Sequence, residues 1–176
     1  MKALKGLIIG IILVFSIGVV VFLGLSLYAY SNLKYYSVYY AQQMPHKEGT
    51  EPDLVMLIEN MGSIYTPKIE GIRYDDDGRN FIENSTNLTG KPTNFDEFVG
   101  GYGYSDQNDV TYKFNKNFSL EWAIDKHYKK IDIATIDEKK IKEEIRETVQ
   151  PVLDVQPKPL INLQWLFNMK YQDRFN

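Results

Sequence analysis

The chain has 176 residues, 20 of them basic and 23 acidic, with two histidines and no cysteine. That length holds one ordinary domain and an appendage. The missing cysteine rules out a disulfide framework, a thiolate nucleophile and a zinc–thiolate site, and the mild excess of acid offers no electrostatic footprint for nucleic acid.

The appendage comes first. Residues 7–27, LIIGIILVFSIGVVVFLGLSL, carry no charge, and a helix of that length spans about 31 Å, the thickness of a bilayer core. A secretory signal has an apolar stretch of only about 7–15 residues. The segment therefore reads as an uncleaved transmembrane anchor, although Ala29-Tyr30-Ser31 also has the small-residue character of a cleavage site. Lys2 and Lys5 precede the span and Lys34 alone follows it closely. This bias places residues 1–6 in the cytoplasm and the rest outside. Beyond the span stand 18 basic residues and all 23 acids, a net of −5.

Residues 28–49 form a tyrosine-rich neck with Tyr28, Tyr30, Tyr35, Tyr36, Tyr39 and Tyr40. Rings with an apolar body and a polar tip settle at headgroup level. Leu33, Tyr36, Tyr40 and Met44 recur at helical spacing, so the membrane helix is expected to run on to Met44, where Pro45 stops it.

The outer domain occupies residues 50–176. Thr50-Glu51-Pro52-Asp53 opens a helix, with Thr50 as its cap, Pro52 in the first turn and two acids at the positive end of the dipole. Leu54, Leu57, Ile58 and Met61 form its apolar face, and Gly62 supplies the stop. Residues 69–74 and 79–83 read as strands joined across Asp75–Gly78. Residues 84–109 are polar and glycine-rich, a long loop with one short strand around Phe95–Val99. Alternation from Val110 to Ile124 gives a hairpin turning at Asn115-Lys116-Asn117, although one long strand also fits.

Thr135 and Glu138 make a capping box ahead of a second helix, with Ile141, Ile145 and Val149 inward and its end before Pro151. From Ile161 to Tyr171 apolar residues alternate with polar ones, the pattern of a half-buried strand. Trp122 and Trp165 should then share the buried face of one sheet, and Trp165→Ala should cost about 3–5 kcal/mol. The fold class is α+β: an antiparallel sheet of about four to six strands with two helices on its apolar face.

Few patterns suggest chemistry. If Gly78 were the sixth position of an EF-hand loop, Asp75 and Asp77 would fill the third and fifth. The first would then be Arg73 and the twelfth Asn84, where oxygen anions are needed. Asp-Asp-Gly between apolar strands is a hairpin signal instead. Asp75, Asp76 and Asp77 remain only as a weak surface site for a cation. Val99-Gly-Gly-Tyr-Gly-Tyr104 lacks dinucleotide-binding spacing. It reads as a loop in which Tyr102 and Tyr104, with Asp106 beside them, suit recognition of a partner.

His46 and His127 have no second histidine at ligand spacing. Glu121 and Asp125 could pair as glycosidase carboxylates but read as solvated strand residues. The lysine clusters around residues 126–130 and 139–142 read as solvated faces. Gly-x-Ser-x-Gly, Ser-x-x-Lys and phosphate-loop patterns are missing, and no cofactor is expected. These features point to a non-catalytic, single-pass cell-membrane protein whose outer domain binds a protein partner, as a toxin-neutralising immunity protein or an accessory subunit of a membrane complex does. The alternative is a surface module for a wall polymer, small ligand or cation; an enzyme is the third reading.

Overall fold

A computed structural model describes residues 2–70, 72–75, 81–84, 93–94, 101–106 and 108–176. Helix α1 (Lys2–Tyr35) carries the apolar run, and its most apolar window is entirely unburied. The helix breaks at Tyr36 (φ −102°, ψ 19°) and resumes as α2 (Ser37–Gln43), after which Met44 is extended. Continuation towards Met44 therefore occurs with one interruption.

Helix α3 (Pro52–Glu59) is the core of the domain. Every residue from Pro52 to Ile58 is buried, Asp53 included, so the helix is enclosed by its neighbours beyond the one expected apolar face. Thr50 does not cap it. Its hydroxyl donates instead to the Lys47 carbonyl (2.7 Å) and the Phe175 carbonyl (3.2 Å), tying the loop before α3 to the end of the chain.

The strands form two antiparallel sheets. In the first, β1 (Ile72–Asp75) pairs with β2 (Phe81–Asn84), and β2 with β3 (Thr93–Asn94). The expected hairpin around the acidic run is present as the pairing of Asp75 with Phe81; the expected strand at Phe95–Val99 lies outside the described residues. The second sheet is a meander of β4 (Gly101–Ser105), β5 (Thr111–Asn115), β6 (Leu120–Ile124) and β7 (Lys130–Ile131). Here β5 and β6 are two strands, closed by a turn in which Phe118 takes φ +63°. Phe118 is fully buried and stacks on Phe114, ring centroids 4.8 Å apart. Packing of this kind holds a bulky residue in the left-handed region.

Strand β4 corrects the expectation of a loop from 84 to 109. Tyr102 and Tyr104 face Phe114 and Tyr112 across the ladder, so alternation was present there, hidden because glycines fill the other positions. Gly101 is required for close approach: a Cβ would lie 2.1 Å from the Phe114 carbonyl oxygen.

Helix α4 (Glu138–Leu153) follows a short 3-10 turn, Ile133–Thr135. Its cap is Asp137, which accepts from the Lys140 N–H (3.1 Å), and not Thr135, whose hydroxyl donates to Asp132 within the 3-10 turn. The helix also runs through Pro151 to Leu153, because Val152 and Leu153 are both buried and favour one more turn.

The largest departure is at the C-terminus. Residues Gln164–Phe175 form helix α5, not a strand. A two-residue alternation contains a four-residue one. Leu163, Phe167, Tyr171 and Phe175 lie on one helical face, with Phe167 and Phe175 fully buried. No β-branched residue follows Ile161 to favour a strand. Trp165 is consequently 66% exposed and Trp122 half-buried, so the shared buried sheet face for the two tryptophans is overturned.

Candidate functional site

Tyr102, Tyr104 and Asp106 are all internal groups. Tyr102 donates to Glu59 Oε1 (2.5 Å) and Tyr104 to Glu144 Oε2 (3.4 Å). Asp106 accepts from the Asn108 N–H (2.8 Å), the Val110 N–H (2.9 Å) and the Tyr112 hydroxyl (3.0 Å), organising the β4–β5 turn. Burial first, and then a carboxylate beside each hydroxyl, pushes Tyr102, Tyr104 and Tyr112 well above the ordinary phenol value.

Two arginine clamps close the domain. Arg174, on α5, grips Glu59 at the end of α3 through Nη1–Oε2 (2.9 Å) and Nη2–Oε1 (2.8 Å), and also donates to the Tyr102 hydroxyl (2.8 Å) and the Lys116 carbonyl (2.6 Å). Burial alone would raise the Glu59 pKa, but donors from Arg174 and Tyr102 outweigh it and hold the carboxyl below its usual value. Arg146, on α4, grips Asp53 (3.0 and 2.9 Å) and also binds Glu51, joining α4 to the start of α3. Sequence reasoning missed both clamps. The available signal was scarcity: only four of the 20 basic residues are arginine, the side chain suited to bidentate carboxylate pairing.

A third joint fixes the neck. Tyr40, fully buried, donates to Asn32 Oδ1 (2.7 Å) and accepts from the Leu163 N–H (3.0 Å). Asn32 Nδ2 in turn donates to the Ile161 carbonyl (3.3 Å). Tyr40 is thus a core residue, whereas Tyr28, Tyr30 and Tyr35 are exposed on α1.

The other sequence candidates are dispersed. Asp76 and Asp77 lie outside the described residues, and Asp75 ends β1. Among the described residues no three His, Asp or Glu side chains gather as a metal-binding group. Glu121 pairs with Lys113 (3.8 Å). Asp125 caps its turn by accepting from the His127 and Lys129 N–H groups, and these bonds, that from Lys129 foremost, lower its pKa. His46 Nδ1 lies 2.8 Å from the Met44 carbonyl.

An open cleft of about 400 Å³ lies between the loop before α3 and the first turns of α4. Glu48, Glu51, Glu138 and Glu143 line it together with Lys139, Lys142 and Arg146. Lys142 binds the Gly49 carbonyl and Glu138 (2.6 Å), and Arg146 is committed to Asp53 and Glu51. Glu143 pairs with Lys139 across one turn of α4 (3.9 Å). No protein-family model, curated protein or solved structure matches the chain.

Proposed function

We propose that the chain is a single-pass membrane protein whose α+β domain stands on the outer face and binds a protein partner without catalysing a reaction. The observation that carries this reading is α1, whose apolar surface is fully exposed along a length sufficient to cross a bilayer. A soluble protein would cover such a face. Asn32, Leu33 and Tyr40 join the end of that helix to the domain core, so the domain is held close to the membrane instead of on a free tether. The carboxylates weighed as a catalytic pair, Glu121 and Asp125, have partners within the chain. That pattern favours a binding role.

The partner surface is assigned away from Tyr102, Tyr104 and Asp106, whose burial leaves little to contact. A second reading rests on the mixed-charge cleft beside α4: a module that takes a small or extended charged ligand from the cell surface. Purification of the tagged full chain from its native membrane in mild detergent separates the two. One stoichiometric companion protein supports the partner reading; isolation of the chain alone at native expression contradicts it and favours the ligand module.

A further inference from the structure

Beyond the membrane helix, one short segment exposes large apolar side chains together. Leu160 is 98% exposed, Met169 69% and Trp165 66%, with Ile161 also exposed. Trp165 and Met169 are four residues apart on α5 and so share a face, turned away from the buried Phe167 and Phe175. Single exposed apolar residues are ordinary, but a contiguous group marks a contact surface.

Its position identifies what it contacts. The Ile161 carbonyl accepts from Asn32 Nδ2, and the same nitrogen lies 3.3 Å from the Tyr28 hydroxyl. The Lys170 ammonium sits over the Tyr30 ring, 6.0 Å from its centroid. Tyr30 and Asn32 follow Leu27, the end of the apolar run of residues 7–27 that precedes the first neck tyrosine, by three and five residues, which is about 4.5 and 7.5 Å along a helix axis. The headgroup zone on each side of a bilayer is about 5–8 Å deep. The segment therefore meets α1 at headgroup depth, where tryptophan and tyrosine are favoured. Lys158 and Lys170 flank it, as cations flank the apolar face of an interfacial helix.

Resting on the reading of α1 as a membrane span, we infer that Leu160, Ile161, Trp165 and Met169 form a second membrane contact, inserted among the lipids of the outer leaflet. The protein has two membrane elements, a spanning helix and an interfacial one, and the domain lies against the bilayer with a fixed orientation. The neck joint of Asn32, Tyr40 and Ile161 couples them.

The full chain carrying Trp122→Phe, reconstituted in phosphatidylcholine–phosphatidylglycerol vesicles, reports both elements separately. Flotation with the vesicles reports the span, and quenching of the remaining Trp165 reports the interfacial contact. The expected result is flotation, loss of most Trp165 emission when the lipids are brominated, and little quenching by aqueous iodide. A chain that fails to float contradicts the span and this contact together. A chain that floats with Trp165 open to iodide and untouched by bromolipid overturns the interfacial contact alone. Protection from both quenchers also overturns it, because a protein surface would then cover the patch. Should Trp122→Phe disturb folding, Leu160→Cys carrying a fluorophore gives the same readout, since the chain has no other cysteine.

Discussion

Arg174 touches three stretches of chain that are far apart in sequence: α3 through Glu59, β4 through Tyr102, and the β5–β6 turn through Lys116. Its guanidinium geometry is the reason lysine cannot replace it. Arg174→Lys should cost about 1–2 kcal/mol of stability, less than a fully buried charged pair because Glu59 is partly exposed; denaturant unfolding of the full chain in micelles measures it. A change no larger than that of an arbitrary surface lysine would show that the clamp is incidental. The same clamp carries a pH dependence. Glu59 is held below its ordinary pKa, so its contribution is complete above the usual carboxylate range and is lost as pH falls through the lowered folded value. Unfolding midpoints followed into acid should show that loss in the parent and a smaller one in Arg174→Met. Gly101→Ala tests a different kind of contact, since its Cβ would strike the Phe114 carbonyl; a cost of about 1–3 kcal/mol is expected from the forced shift.

Helices and strands were legible to different degrees, for physical reasons. Helix α1 is marked by a continuous apolar run, α3 and α4 by apolar residues at helical spacing, and the hairpins by turn residues between alternating ones. Helix α5 was misread because every second residue of its apolar set is also every fourth, so pattern alone favours neither state. Tertiary packing on Tyr40, whose ring lies 5.4 Å from that of Phe167, decides for the helix. Two substitutions separate the readings directly. Phe167→Ala should cost about 3–5 kcal/mol as a buried large-to-small change, while Trp165→Ala should stay within about 0.5 kcal/mol in detergent, as an exposed position does. The reverse order would restore the strand. Strand β4 escaped notice for the opposite reason: glycine at 101 and 103 resembles a loop until Phe114 and Tyr112 are seen opposite its tyrosines.

At the scale of the molecule, the candidate span was legible without the fold, because it is defined by the length and the missing charges of residues 7–27. The candidate contact residues were not legible at all. Whether Tyr102 points into a core or out to a partner depends on Glu59 and Arg174, which lie 43 and 72 residues away in sequence. The proposed orientation, cytoplasmic N-terminus and outer domain, rests on the charge bias around residues 7–27. The most direct test is protease treatment of intact cells expressing the chain with a C-terminal tag, followed by alkaline washing of the membranes. An outward-facing, anchored domain predicts loss of the tag without cell lysis and, in untreated cells, retention of the full chain in the washed membrane. A tag protected until lysis, or a chain released by the wash, would contradict it.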